Sequence, residues 1–274
     1  MKPFDLIRPS GVASPVVVSV PHAGLHVPDA LQGELDYDER LLMANADHAV
    51  DALYVGVTST GASLLRANVS RIVVDLNRAP SDIDALSVPE HPSPLADARR
   101  GVIWRTAICG RNVLRHPLTL AEHARRIERW HAPYHTQLRA LLEETRARHG
   151  YVILLDGHSM PGRPIVDGRP GPRHADIVPG CLGGRSCAPA LVRAASAHFE
   201  GRGYSVAVDD PYRGGFITRR YGQPASGCHA LQLEVNRELY LDTITLAPKP
   251  RGVTRLRDDL TAFVASLAEV RIPA

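Results

Sequence analysis

The apolar positions of this chain fall into short continuous runs alternating with stretches of helical spacing. Val16-Val17-Val18-Ser19-Val20 is nearly all β-branched and uninterrupted, which predicts a strand covered on both faces. It stops at Pro21-His22-Ala23-Gly24. Leu41, Leu42, Ala46, Val50 and Leu53 then recur at roughly helical intervals and predict a helix over about 38–54, capped by Asp36 or Asp38. The apolar runs 62–67 and 72–76 predict two neighbouring strands or one bent pair, split by Asn68-Val69-Ser70-Arg71. Residues 79–103 are rich in Pro, Asp and Ser and show no period, so they read as a long loop excursion of a kind that is more often functional than idle. Thr119 and Glu122 have capping-box spacing and open a helical pattern that runs to about His149. Gly150 is its natural stop, and Pro133 should kink or divide it. A strand over 151–155 ends in Asp156-Gly157-His158-Ser159. Residues 161–187 read as loop, 188–199 as helix, 204–208 as strand, 211–227 as a Gly-rich segment, 230–235 as strand and 254–270 as the last helix.

Alternation of strands and helices predicts an α/β fold with a mainly parallel or mixed central sheet flanked by helices. No flexible linker divides the chain, so residues 1–274 read as a single domain. Apolar residues at 44% and charged residues at 22% match soluble globular proteins and exclude disordered, collagenous and coiled-coil chains. The net charge of +3 comes without a polybasic run, which argues against a nucleic-acid or anionic-membrane partner. No stretch reaches the ~18 apolar residues of a membrane span, and residues 1–10 lack the apolar core of a signal peptide. Cys109, Cys181, Cys187 and Cys228 form no C-x-x-C pair and do not read as a disulfide framework. A reducing cytoplasm is the expected location.

Thirteen histidines are many, and two follow apolar strands: His22 after 16–20 and His158 after 151–155. Glu234 follows Leu231-Gln232-Leu233 in the same manner. Ligands of open α/β sheets bind beyond the carboxyl ends of the strands. If these strands are parallel neighbours, His22, His158 and Glu234 converge. A histidine after a strand is more often a structural hydrogen-bonder than a metal ligand. Two of them with a carboxylate shift the balance toward zinc, whose catalytic sites take three protein ligands such as two His and one carboxylate. Asp47 and Asp51 are both candidates for the acid, since a four-residue spacing places them on one helix face. No H-E-x-x-H is present, nor the G-x-S-x-G of α/β-hydrolases or the G-x-x-x-x-G-K-[ST] of P-loops. Arg71, Arg78, Arg219, Arg220 and Arg237 lie at loop edges, where guanidinium forks suit an anionic small substrate. The alternative for each is a neighbouring acid such as Asp75.

The blocks Val18-Ser19-Val20-Pro21-His22-Ala23-Gly24, 47–54, Ser70-Arg71-Ile72-Val73-Val74-Asp75-Leu76-Asn77-Arg78, Leu155-Asp156-Gly157-His158-Ser159-Met160, 211–222 and Gln232-Leu233-Glu234-Val235-Asn236-Arg237 together resemble the N-formylglutamate amidohydrolase family. They occur in order from about 16 to 242. The resemblance implies a zinc-carboxypeptidase-like, three-layer α/β architecture. It implies hydrolysis of N-formyl-L-glutamate to formate and L-glutamate, a late step of one bacterial route of histidine breakdown. It implies one Zn²⁺ per chain on His22, Asp47 and His158, with Glu234 as catalytic base. Arg71, Arg78 and Arg219 are the candidates for binding the substrate carboxylates. The chain departs from the family in lacking an acid in Pro179-Gly180-Cys181-Leu182-Gly183-Gly184, which opens the choice to other N-acyl amino acids. Two readings compete: a metal-free anion- or amino-acid-binding protein on the same fold, and a peptidoglycan amidase, which the missing export signal disfavours.

Overall fold

A computed structural model describes residues 2–95, 99–166 and 169–272. Parts of the two long loops, 96–98 and 167–168, lie outside the described residues. Strands β1 (Phe4–Ile7), β2 (Val16–Val20), β3 (Ser63–Ala67), β4 (Val152–Met160), β7 (Ile177–Gly180) and β8 (Cys228–Asn236) form a six-stranded sheet in the order β1-β3-β2-β4-β8-β7. Two short strands, β5 (Ile165–Val166) and β6 (Arg169–Pro170), pair separately. β2, β4 and β8 run parallel and β7 is antiparallel to β8. The fold is therefore α/β with a mixed central sheet flanked by helices, as the alternation of elements predicts. Among the described residues no helix is long and apolar enough to cross a membrane. All four cysteines are free thiols.

The chain divides into two compact units. One comprises Met1–Asp5, Pro21–His48 and Arg66–Arg139. It contains helix α1 (Glu39–Asn45), helix α3 (Leu120–Arg126) and the long loop after Arg78. The other comprises Leu6–Val20, Ala49–Leu65 and Ala140–Ala274. It holds β2, β4, β7 and β8 with helices α2 (Asp51–Tyr54), α5 (Pro189–Glu200), α6 (Phe216–Tyr221) and α7 (Pro250–Ala268). Helix α4 (Ala132–His149) begins in the first unit and ends in the second.

Several expected elements take another form. The helix over 38–54 is two helices. Asp38 caps α1 by accepting from the Leu41 amide, as expected. The helix then stops because Ala46 is extended and the Asp47 amide donates to the His22 carbonyl instead of to its own helix. Ala49, at φ 57°, lies in the left-handed region and separates α2. Asp47 and Asp51 therefore do not share a helix face. The apolar run 72–76 is a buried turn, not a strand. The Val73 and Val74 amides both reach the Ser70 carbonyl, and the Asp75 side chain accepts from the Asn77 amide.

The capping box at Thr119 and Glu122 is present, and Gly150 ends α4 at φ 82°. Between α3 and α4 the backbone widens into a π-turn, Ile127–His131, just ahead of Pro133, whose missing N–H removes one helical hydrogen bond. The strand over 151–155 continues to Met160, so Asp156 and His158 stand within β4 rather than beyond it. The 161–187 loop contains β7, and the Gly-rich 211–227 segment contains α6. The strand over 204–208 is reduced to a single bridge between Val206 and Ile177, because Ser205 is drawn to the Asp176 side chain.

Candidate active site

Side chains alternate across a strand, and residues in register on parallel neighbours share a face. Asp156 pairs with Gln232 and His158 with Glu234 across β4 and β8, and Ser19 of β2 pairs with Asp156. One face of this sheet thus carries a block of five polar side chains, all buried. Burial of such groups is costly unless each is hydrogen-bonded or charge-compensated. The Ser19 hydroxyl donates to Asp156 Oδ1 at 3.4 Å, and His158 Nε2 lies 3.1 Å from Asp156 Oδ2. The Gln232 amide donates to Glu234 Oε1 at 3.1 Å, while its own Oε1 accepts from the Gly215 amide at the start of α6. Gly157 sits between Asp156 and His158 because a Cβ there would come within 2.7 Å of the Tyr54 ring.

His22 follows β2 on a loop pressed against Asn68 and Val69 at Gly24, where a Cβ would meet backbone at 2.4 Å. Its Nε2 lies 2.8 Å from Asp75 Oδ1 and its Nδ1 lies 3.5 Å from Asp47 Oδ2. Asp75 is fully buried and also accepts from Arg71 Nε and Nη2, Trp104 Nε1 and the Asn77 amide. Burial alone would raise the Asp75 carboxyl. The Arg71 guanidinium and His22 outweigh it and hold Asp75 well below the usual carboxylate range. Arg71 stacks over Trp104 at 4.6 Å and reaches to 3.9 Å from Asp47 Oδ1.

His22, Asp47 and His158 are all buried and each offers one donor atom within 4.8 Å of the others, a group able to hold a metal ion. The donor chemistry fits zinc: two imidazoles and one carboxylate. His22 has a hydrogen-bonded aspartate at Nε2, the arrangement in which a ligand imidazole is oriented by a carboxylate and presents its other nitrogen. His22 Nδ1 and Asp47 Oδ2 lie 3.5 Å apart, a spacing at which an imidazole nitrogen and a carboxylate oxygen can share one bound cation. Asp51 is not part of this group.

The arginines are placed differently from one another. Arg71 is engaged by Asp75, the alternative that its sequence context already raised. Arg78 and Arg219 are exposed. Arg237 donates to the Ser159 hydroxyl and carbonyl. Sequence reasoning kept Asp156 only as a reserve base and Asp75 only as an arginine partner, and gave Trp104 and Gln232 no role. Two of the four had a signal: polar residues two apart on buried strands, Asp156 with His158 and Gln232 with Glu234, mark a polar face where an apolar one is expected.

A family model described as N-formylglutamate amidohydrolase matches residues 14–241. N-formylglutamate deformylases of Pseudomonas putida and Pseudomonas aeruginosa are each 34% identical over 234 residues, covering 83% of this chain and 82% of theirs. The crystal structure of N-formylglutamate amidohydrolase from Ralstonia eutropha superposes with a TM-score of 0.89 at 34% identity, covering 98% of both chains. A gene product of Agrobacterium tumefaciens shares the fold, with a TM-score of 0.72 at 20% identity over 97% of this chain and 94% of its own.

Proposed function

The chain belongs to the N-formylglutamate amidohydrolase family, and from that premise we propose that it hydrolyses N-formyl-L-glutamate to formate and L-glutamate as a zinc enzyme, with residues 1–274 serving as one catalytic domain. The step is a late one in histidine breakdown. The observation that carries this reading is the buried donor group His22, Asp47 and His158.

These three residues would hold the ion. When bound, zinc supplies a Lewis acid that acidifies water and polarises a carbonyl. Asp75 orients the His22 imidazole through its Nε2, and Asp156 adds negative charge 3.1 Å from His158 Nε2. Glu234 lies in register with His158 on the adjacent strand and takes the proton from the water that attacks the formyl carbon. The C–N bond then breaks, and Glu234 delivers the same proton to the departing amine nitrogen. Gln232 fixes Glu234 Oε1 during this exchange. Arg78 and Arg219 bind the substrate carboxylates. Arg71 joins them as the third candidate, with its main engagement on Asp75.

Metal analysis of the purified protein, paired with hydrolysis of a panel of N-formyl, N-acetyl and N-succinyl amino acids, tests this reading. The expected result is about one zinc per chain and a preference for N-formylglutamate. His22→Ala and His158→Ala should lose zinc and turnover together. Stoichiometric zinc and normal turnover in either variant would remove the ligand assignment, and preference for another N-acyl amino acid would reassign the substrate.

A further inference from the structure

We propose that His131 and His135 are positioning residues: a stacked imidazole pair that fixes the 75–78 turn, so that Asp75 meets His22 at one end while Arg78 is held out at the other. The inference rests on the zinc amidohydrolase reading and deepens it. His135 Nε2 lies 2.9 Å from the Leu76 carbonyl oxygen, and His131 Nε2 lies 3.0 Å from the Arg78 carbonyl oxygen. A carbonyl only accepts, so both Nε2 atoms carry hydrogen and donate. The ring centroids are 4.3 Å apart at 32°. Tyr134 sets its edge against His135 at 5.8 Å and against Phe4 at 5.9 Å, which braces the pair from the side.

The turn they grip is bound from its other flank as well. The Asp75 amide donates to the Val102 carbonyl, the Asn77 amide to Asp75 Oδ1 and the Arg78 amide to the Asp75 carbonyl. Two carbonyls two residues apart on the turn are thereby met by two rings four residues apart on a helical segment. His131 closes the π-turn and His135 lies in the first turn of α4, just after Pro133. Widened helical turns of this kind are frequently found at functional sites. Here the widening has a definite mechanical result: it sets the two rings against one turn that carries both an orienting carboxylate and an exposed guanidinium.

Loosening the pair should therefore be felt at two ends. Through Asp75 it should weaken zinc binding, and through Arg78 it should weaken binding of the substrate anion. The experiment compares His131→Ala and His135→Ala with His131→Gln and His135→Gln, whose side-chain amides keep a donor near the Nε2 position. Zinc affinity is read on apo protein by competition with a chelator. KM is measured for N-formylglutamate and for uncharged N-formylglutamine amide, and exchange of the Asn77 and Arg78 amides is followed by mass spectrometry. The Ala variants should weaken zinc by about tenfold or more. They should raise KM for N-formylglutamate by roughly tenfold, leave the uncharged amide nearly unchanged and speed exchange at 77–78. The Gln variants should restore all of these. If an Ala variant fails to fold, His135→Asn, whose amide is too short to reach, takes its place. Lower thermal stability with unmoved zinc affinity and KM ratio would overturn the proposal, as would Gln variants that behave like Ala. Should the wild-type protein neither hold zinc nor hydrolyse N-formylglutamate, the functional reading fails by itself. The amide exchange then decides the positioning claim, which unchanged exchange at 77–78 in the Ala variants would refute.

Discussion

Among the buried acids, Asp75 and Glu234 show how surroundings divide labour between carboxylates. Asp75 is ringed by Arg71, His22, Trp104 and a backbone amide and stays ionised, so it orients an imidazole and does not carry protons. Glu234 accepts from the amide of Gln232 and stands in register with His158, where a proton is exchanged if the reaction runs as proposed. Glu234→Gln preserves size and most hydrogen bonds but cannot accept that proton. The variant should fold, keep zinc and lose at least ~100-fold in kcat with little change in KM. Near-normal kcat would place the base elsewhere, with Asp156 the next residue to test. At this scale the sequence was informative about the members of the buried donor group and poor about their partners. His22 and His158 stood out because each follows an apolar run. Asp75 did not, because its role depends on Trp104 and His22, which are remote in sequence and are brought to it only by folding.

Elements governed by local rules were legible: the capping box at Thr119, the Asp38 cap, the stop at Gly150 and the disturbance ahead of Pro133. Elements that depend on remote partners were not. The helix expected through Asp47 breaks because that residue's amide prefers the His22 carbonyl, and the run 72–76 turns because the Ser70 carbonyl captures the Val73 and Val74 amides while the Asp75 side chain takes the Asn77 amide that follows. Helix α5 offers a test at this level. Its capping residue Ala188 has no side-chain oxygen, and the Ala188 amide donates to His229 Nδ1 at 3.2 Å. That nitrogen accepts only when unprotonated. Burial pushes His229, His123 and His198 below the ordinary histidine range. The unfolded chain therefore binds more protons than the folded one just below pH ~6.5. The stability these groups contribute is complete above that value and is lost as the pH falls toward their lowered folded values. Melting temperature should decline from pH 7.5 to 5.5, and His229→Gln should flatten the decline. An identical slope in that variant would show that His229 is not one of the responsible groups.

Over the whole molecule, α7 lies beyond the 14–241 span that the family model matches, yet it is part of the core. Leu256, Leu260, Phe263, Val264 and Leu267 are buried along one side of it, and the Phe263 ring centroid lies 5.0 Å from that of Phe199 on α5. Phe263→Ala should cost ~3–5 kcal/mol and lower the melting temperature by roughly 6–20 °C, with KM unchanged in the surviving folded enzyme. A shift of only a degree or two would mean that α7 is dispensable to the fold. The parallel pairing of β2 with β4 also has a consequence for how the chain is made. Val16 sits beside Ile153, more than a hundred residues later. At ~5–20 residues per second a ribosome needs roughly 7–30 s to supply that partner. Until then one edge of Val16–Val20 lies open, carrying a β-branched surface of the kind that recruits wrong neighbours. A strand at the middle of the finished sheet thus waits for its parallel partner, and the nascent chain carries that open edge until β4 and its histidine have been translated.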